Sequence, residues 1–253
     1  MIAFLAGLLG LVVGSFLNVV IHRVPLRRSI VWPGSRCPDC GAPIRAPDNV
    51  PVVSYALLGG RCRSCKSRIS LRYPLVEALT GVLFAAAALR FGFGLPLLSA
   101  LVLIGTLVAL AGIDLEHRLL PNVIVGPAAV AGLALSILIN PGAWWVYTVS
   151  ALAVSGGLFA LAIAYPGGMG MGDVKMGGML GTFLGPYAAL AVFLGALVGS
   201  VTAGLLMAGG KIDRRAALPF GVFLAVGGIL VLFAGPYLWG FYLEFAARLV
   251  GGP

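Results

Sequence analysis

Long apolar runs dominate this sequence and limit what the chain can fold into. Segments of roughly 18 residues or more recur along it, and a helix of that length matches the ~30 Å hydrocarbon core of a bilayer. With 60% hydrophobic and 10% charged residues and a mean hydropathy of +1.05, the chain is predicted to be an all-α polytopic membrane protein. A soluble globular fold is not expected.

About eight transmembrane helices are predicted, and the basic residues orient them. The helices cover residues 1–21, 74–90, 96–113, 122–139, 145–165, 174–185, 187–208 and 219–247. The first has no charge ahead of it and arginines behind it, so we expect an anchor with its N-terminus outside rather than a cleaved signal peptide. Fifteen of the 17 Lys and Arg residues then fall on the inner side, which the positive-inside rule assigns to the cytoplasm.

A polar module, residues 22–73, separates the first helix from the others. It holds ten of the basic residues but only two acids, Asp39 and Asp48. This local charge bias is typical of a cytoplasmic loop that faces anionic lipid headgroups, so we expect membrane lipid, and no nucleic acid, as a partner. The predicted domains are the N-terminal transmembrane helix (1–21), this module (22–73) and a transmembrane domain (74–253).

Four cysteines in the polar module form two C-x-x-C pairs, Cys37 with Cys40 and Cys62 with Cys65, with 21 residues between the pairs. Such paired knuckles supply four thiolates for one tetrahedral zinc ion, although the usual separation is ~15 to 20 residues. Two disulfides are the alternative, but a cytoplasmic module would lie in a reducing compartment. The pattern predicts one structural zinc, because four protein ligands leave no position for a catalytic water.

Two aspartates interrupt apolar segments near predicted helix ends. Asp173 follows the glycines of GMGMG, and Asp114 ends an apolar run ahead of LEHRLLPN. A carboxylate at bilayer depth costs roughly 2.5–3.5 kcal/mol on insertion scales, so such a residue is a candidate for function. The predicted topology brings both to the cytoplasmic side, where two carboxylates can share a proton and act as general base and general acid.

The helix predicted to follow Asp173 is unusually short. Its span of about twelve residues, 174–185, falls well below the length that a ~30 Å crossing needs. We expect it to be re-entrant or to begin below the membrane surface, which would place Asp173 in a water-accessible notch inside the protein.

Several sequence elements occur together, in order and along nearly the whole chain. They are GSFLNVVIHRVP from Gly14, the two C-x-x-C pairs, RYPLVE from Arg72, Asp114 followed by LLPN, GMGMGD ending at Asp173, and LPFGVFLA from Leu218. In this combination the chain resembles the type IV prepilin peptidases. The GxGD element alone is shared with other intramembrane aspartyl proteases such as presenilin, whereas its combination with the cysteine module is specific.

The resemblance implies a bifunctional enzyme of the bacterial inner membrane. Such enzymes cleave the leader of type IV prepilins and type II secretion pseudopilins on the cytoplasmic side, then methylate the new N-terminal residue with S-adenosylmethionine. It implies catalysis by Asp114 and Asp173, a role in methyl transfer for residues 22–73, and an aspartyl peptidase domain at 74–253. The residues that bind S-adenosylmethionine are not evident from any pattern in the sequence.

Helix ends assign provisional roles to the two aspartates. Asp173 lies at the positive N-terminal end of its helix, so we expect it to activate the water. Asp114 lies at the negative C-terminal end of its own helix, so we expect it to be the acid that hydrogen-bonds the scissile carbonyl.

The competing interpretation is a transporter or channel. In that protein the two acids would bind protons or cations, and the zinc module would regulate transport. It predicts acids near the membrane midplane, whereas these two lie toward one face. It also gives no role to a cysteine module placed ahead of the second helix.

Other polar residues are expected to have structural roles. Asn18 and His22, four apart on one helix face, are predicted to hydrogen-bond neighbouring helices or the polar module. Glu77 is predicted to pair with Arg72 or another inner basic residue. Lys175 is expected either to contact lipid headgroups or to attract an acidic substrate.

Overall fold

The structure, a computed structural model, describes residues 1–166, 168–213 and 218–249. Arg214 and Arg215, two of the basic residues assigned to the inner side, lie outside them. The helices are α1 (Ile2–Arg23), α2 (Val53–Leu57), α3 (Arg72–Phe91), α4 (Leu95–His117), α5 (Asn122–Ile139), α6 (Trp144–Ala164), α7 (Met171–Leu184), α8 (Ala188–Ala208) and α9 (Phe220–Leu249). Within the described residues no strand forms; only two isolated bridge pairs occur, both in the polar module.

Seven described segments are long and apolar enough to cross a membrane. They are Ile2–Arg23, Arg72–Phe91, Leu95–His117, Asn122–Ile139, Pro141–Ala164, Met171–Ala208 and Phe220–Phe241. The sixth contains both α7 and α8, which a 3₁₀ turn at Gly185–Tyr187 separates. The prediction of an all-α polytopic membrane protein with about eight helices and a small cysteine module after the first is therefore confirmed.

The chain divides into two compact units, Met1–Ile113 and Asp114–Pro253. This division does not test the predicted boundary at residue 74, which separates the polar module from the later helices. In the first unit, α1 packs on α3 through glycines. A β-carbon on Gly10 would lie 2.7 Å from the Thr80 carbonyl oxygen, and one on Gly14 would lie 2.7 Å from Glu77 Cα. These glycines therefore allow α1 and α3 to pack closely.

Helix α7 lies among the other helices of the second unit and contacts α5, α6, α8 and α9. Small residues allow this close packing: Gly177 lies against Leu158 of α6, and Gly181 against Ala151. On the α5 side, the Ser136 hydroxyl donates a hydrogen bond to the Thr182 carbonyl oxygen at 2.8 Å. The surroundings of α7 are thus largely protein.

The prediction that α7 is short is confirmed. Asp173 therefore lies in the first turn of a helix that is too short to cross the membrane alone. Its 14 residues extend about 21 Å at 1.5 Å per residue, less than the ~30 Å of hydrocarbon. The predicted helix boundaries beside both aspartates were wrong. Helix α4 continues to His117, so Asp114 lies inside its last turn, and α7 begins at Met171, so Asp173 lies inside its first turn. The helix ends where Arg118 adopts a left-handed φ of 52°.

Candidate active site and metal centre

Asp114 is a buried acid whose side chain is held by the start of another helix. Its Oδ2 atom accepts a hydrogen bond from the Val222 N–H at 3.2 Å. Val222 is in the first turn of α9, where backbone N–H groups have no partner within the helix and a negative group is stabilised. Gly221 allows the approach, because a β-carbon there would lie 2.9 Å from Asp114 Oδ2.

Asp173 lies in the first turn of α7 and caps its own helix. The Gly170 N–H donates to Asp173 Oδ2 at 3.2 Å, and the Asp173 N–H donates to the Gly170 carbonyl oxygen at 3.1 Å. This reciprocal pair orients the carboxylate at the helix N-terminus, as the acid of a capping box does. Asp173 remains half-exposed, so water can reach it.

Leu120 packs between the two helix starts that hold the aspartates. A β-carbon on Gly172 would lie 3.0 Å from Leu120 Cβ, and one on Gly221 would lie 3.0 Å from Leu120 Cδ2. Only glycine at each position leaves room for this side chain without a shift of the backbone. In the sequence Leu120 is one residue of LLPN, and nothing in the local pattern predicts its contact with two distant segments.

The two aspartates share one cavity of about 330 Å³. Its wall consists of Asp114, Arg118, Leu119, Leu120, Asn122, Gly170, Gly172, Asp173 and Lys175. Lys175 donates a hydrogen bond to Asn122 Oδ1 at 3.0 Å, so it belongs to this wall, an arrangement that the sequence did not predict. Glu116, two residues after Asp114, is not part of the wall. The cavity wall thus contains two carboxylates and two cationic side chains.

The four cysteines of the polar module converge on one point. Their sulfur atoms all lie within 4.8 Å of one another, and the Sγ atoms of Cys37 and Cys65 are 3.8 Å apart. A tetrahedral zinc with Zn–S bonds of about 2.3 Å requires sulfur atoms about 3.8 Å apart. Cys37, Cys40, Cys62 and Cys65 can therefore hold a zinc ion, and none of them is in a disulfide.

The two knuckles have the same backbone geometry. The Cys37 N–H donates to the Ala42 carbonyl at 2.9 Å, and the Cys62 N–H donates to the Ser67 carbonyl at 2.8 Å. Hydrogen bonds from the Cys40 and Asp39 backbones hold the pKa of the Cys37 thiol at about 6. The Ser67 hydroxyl, 3.1 Å from Cys65 Sγ, likewise lowers the pKa of the Cys65 thiol. Both effects favour the thiolate form that binds metal. At Cys40 the Ala42 backbone lowers the thiol pKa, but hydrogen bonds with the other cysteine sulfurs raise it to about 11.

Two further contacts fix the module internally and to α3. Arg63, between the cysteines of the second knuckle, donates two hydrogen bonds to Asp48 Oδ1, at 3.1 and 2.6 Å, and one to Oδ2, at 2.8 Å. Glu77 of α3 accepts a hydrogen bond from the Val52 N–H at 2.8 Å. The contact of Glu77 that the structure resolves is thus with a backbone amide rather than with the predicted arginine partner.

Comparison with known proteins identifies the family. Residues 8–91 match the family model for the bacterial peptidase A24 N-terminal domain, and residues 101–208 match the type IV leader peptidase family. A prepilin leader peptidase/N-methyltransferase from Stutzerimonas stutzeri is 36% identical over 268 residues, which cover 94% of this chain and 92% of the relative. The chain belongs to the prepilin leader peptidase/N-methyltransferase family.

Other members of the family match over different lengths. The protein of the same name from Bacillus subtilis is 36% identical, with 94% of this chain and 96% of the relative covered. That from Myxococcus xanthus is 45% identical over 206 residues, and the match spans 79% of this chain but only 61% of the relative. No solved structure matches the chain.

Membership in the prepilin leader peptidase family confirms the resemblance drawn from the motifs. The cysteines fall in the part matched by the N-terminal domain model, and both aspartates in the part matched by the leader peptidase model. Nothing in the comparisons or the geometry favours a transporter. The interpretation as a multi-pass membrane enzyme therefore replaces that alternative.

Proposed function

We propose that this protein cleaves the leader peptide of type IV prepilins and type II secretion pseudopilins, with Asp114 and Asp173 as the catalytic pair. The observation that carries the proposal is the position of both carboxylates in the wall of one cavity. Each is oriented by a backbone N–H from a helix start, Val222 for Asp114 and Gly170 for Asp173. The substrate class is inferred from the family to which the chain belongs.

A carboxylate pair in one cavity provides the parts that peptide hydrolysis needs. One carboxylate takes a proton from water as the water oxygen bonds to the scissile carbonyl carbon, while the other, protonated, hydrogen-bonds the carbonyl oxygen. The tetrahedral intermediate then collapses, the C–N bond breaks, and the amine leaves with a proton from the pair. Arg118 and Lys175 add positive charge to the wall, which favours the oxyanion that forms on the carbonyl oxygen.

The second activity follows from the family: methylation of the new N-terminal amine with S-adenosylmethionine as methyl donor. We assign it to residues 22–73 and to the helices that contact them. The four cysteines hold a structural zinc, because they occupy all four tetrahedral positions and leave none for substrate. The metal stabilises the module, and the peptidase reaction takes place in the transmembrane domain, residues 74–253.

The charge distribution supports a location in the bacterial inner membrane with the module and the aspartates on the cytoplasmic side. The module carries ten Lys and Arg residues against Asp39 and Asp48, as expected for a loop beside anionic headgroups. The enzyme then binds prepilins and pseudopilins at its cytoplasmic face. The lipid bilayer is the second partner of the chain.

Cleavage of a synthetic prepilin by the purified, zinc-loaded protein in detergent tests the proposal. Mass spectrometry is expected to detect the free leader and, when S-adenosylmethionine is present, a mature product heavier by one methyl group. A zinc-loaded, folded sample that leaves the prepilin intact would contradict the peptidase assignment. Cleavage without methylation would contradict only the second activity.

A further inference from the structure

A second and larger cavity lies in the first unit. It has a volume of about 890 Å³ and is bounded by the second half of α1, the first turns of α3 and the cysteine module. None of its wall residues belongs to the aspartate cavity. Small-molecule sites in proteins usually measure about 300–1,000 Å³, so this space is adequate for a nucleoside-sized ligand.

The wall contains a buried amide oxygen that lacks a partner. Asn18 is only 2% exposed, and its Oδ1 atom has no hydrogen-bond donor within reach. An unsatisfied buried polar atom costs about 1–3 kcal/mol, so native proteins rarely retain one without a reason. Asn18 lines the cavity, and neighbouring atoms cover its Oδ1. A ligand N–H or O–H group that takes the place of this cover would satisfy it.

The orientation of the Asn18 amide follows from its other contacts. Its Nδ2 group donates to the carbonyl oxygen of Tyr73 at 3.1 Å and to that of Gly14 at 3.3 Å. A flipped amide would direct oxygen against two carbonyl oxygens, which cannot donate. Oδ1 is therefore the atom that remains available, and the amide is already fixed by α1 and α3.

The second group in the wall is a buried acid. Glu77 is 8% exposed and lines the same cavity, with its Oε2 atom bound to the Val52 N–H. Asn18 Oδ1 and the Glu77 carboxylate are both acceptors, so they favour a ligand that carries donors and positive charge. The rest of the wall carries both signs of charge: the acids Asp39 and Asp48, and the arginines Arg23, Arg36, Arg45, Arg63 and Arg68. Arg63 is paired with Asp48, and Arg23 donates to the carbonyl oxygens of Ser29 and Gly34.

We propose that this cavity is the site for S-adenosylmethionine, with Asn18 Oδ1 accepting a hydrogen bond from the ligand and Glu77 facing its cationic sulfonium. The inference rests on the proposed methyltransferase function and gives that activity a location. The ligand fits the wall chemically: its adenine amino group, ribose hydroxyls and α-amino group are donors, and its sulfur is positively charged. The α-carboxylate of the ligand can pair with an arginine of the wall. A phosphate or an anionic lipid headgroup would also pair with these arginines, but it would offer neither a donor to Asn18 Oδ1 nor a positive charge to Glu77.

Equilibrium binding of S-adenosylmethionine to the zinc-loaded, full-length protein, measured by calorimetry in detergent, tests the site. Asn18→Leu, which removes the acceptor, is expected to weaken binding roughly 2- to 10-fold. Glu77→Gln keeps an oxygen for the Val52 N–H but removes the charge, and is expected to weaken binding roughly 10-fold or more. Asn140→Leu, which changes an asparagine outside this cavity whose side chain donates to the Tyr147 hydroxyl, is the matched control and is expected to bind normally.

A comparison with S-adenosylhomocysteine separates the effect of the ligand's charge from that of its shape. The two ligands differ by one methyl group, but the sulfur of S-adenosylhomocysteine is a neutral thioether. If Glu77 faces the sulfonium, Glu77→Gln will reduce the affinity for S-adenosylmethionine much more than that for S-adenosylhomocysteine. Equal losses for the two ligands would overturn the assignment of Glu77 to the sulfonium. Zinc content and thermal unfolding are recorded for each variant, so a loss of binding counts only for a folded, metal-loaded protein.

The outcomes distinguish this site from the function on which it rests. A wild-type protein that binds S-adenosylmethionine while Asn18→Leu and Glu77→Gln bind it equally well would place the ligand elsewhere and overturn the inference alone. A wild-type protein that binds neither ligand would overturn the methyltransferase function as well. Protection of residues 50–58 and 73–77 from hydrogen exchange on ligand addition would support the location independently of any variant.

Discussion

Val222 donates its backbone N–H to the carboxylate of Asp114, although the two residues lie 108 positions apart in the sequence. The contact joins the end of α4 to the start of α9 and gives Asp114 a fixed orientation within the second unit. It exists only because residue 221 has no side chain. Gly221 is therefore expected to matter for catalysis although it carries no chemical group.

Gly221→Ala is predicted to lower the rate of prepilin cleavage. The new β-carbon would lie 2.9 Å from Asp114 Oδ2 and 3.0 Å from Leu120, so one of them must move. Displacement of a catalytic group by about 1 Å can cost roughly 100-fold in rate, and we expect a loss of roughly 10- to 100-fold in kcat. Gly204→Ala is the matched control, because a β-carbon there meets nothing within 4 Å. Equal turnover of the two variants would contradict the role of the Val222 contact.

Asp114→Asn and Asp173→Asn are each predicted to abolish cleavage, with a fall in kcat of at least roughly 100-fold, because each removes one member of the acid–base pair. Both replacements keep the shape of the side chain, so zinc content and thermal unfolding should change little. Glu116→Gln, two residues from Asp114 but outside the cavity wall, is expected to cleave normally. If either asparagine variant turned over at a near-normal rate, that aspartate would have no part in the mechanism.

Sequence reasoning found the candidate catalytic and metal-binding groups but not the segments that hold them. The sequence indicates Asp114 and Asp173 because each is a charged residue in an apolar segment. It indicates the four cysteines because they have the regular spacing of a metal site. The contact of Val222 with Asp114 depends on tertiary packing across 108 residues, and no local periodicity reports it.

The prediction of which aspartate is the acid and which the base also missed a contact with a distant segment. It considered only the helix to which each aspartate belongs, with Asp173 at an N-terminus and Asp114 at a C-terminus. In the structure Asp114 also receives an N–H from the N-terminus of α9, so a positive helix end acts on both carboxylates. The roles of the two aspartates stay a prediction.

The cysteine module is predicted to bind one zinc ion per chain and to unfold when the metal is removed. For a small domain whose ligands converge only in the folded state, metal-binding free energy is folding free energy. Chelation should expose the amides of residues 22–73 to hydrogen exchange, while circular dichroism retains most of the helical signal from the membrane helices. Cys62→Ser should act like the chelator, whereas Ser64→Ala, between the same two cysteines, should keep the metal. A metal-free module with unchanged exchange would contradict a structural role for zinc.

Asp48 is predicted to titrate below the usual range of an aspartate, because its hydrogen bonds and ion pair with Arg63 lower its pKa. A lowered pKa in the folded state means that the pair contributes stability above the unfolded pKa of about 3.9, and that this contribution is lost as pH falls through the folded value. Carboxyl-carbon chemical shifts can follow the titration. Arg63→Gln should return the pKa of Asp48 toward about 3.9, and an unchanged titration in that variant would show that the ion pair is not the cause.

Leu120→Ala is predicted to impair the peptidase by loosening the packing between the helix starts that hold the two aspartates. The side chain contacts the positions of Gly172 and Gly221, so its truncation leaves space between the first turns of α7 and α9. Because Leu120 is half-buried, we expect a destabilisation of about 2 kcal/mol, at the lower end for Leu→Ala changes, together with a fall in kcat.

Leu115→Ala separates a specific effect of Leu120 from a general loss of apolar surface. Leu115 is 66% exposed and is not part of the cavity wall, so its truncation should leave turnover unchanged. Zinc content should be normal in both variants, since the cysteine module is not altered. If Leu120→Ala cleaved prepilin as fast as Leu115→Ala, the two helix starts would be held by their own hydrogen bonds alone, and Leu120 would have no positioning role.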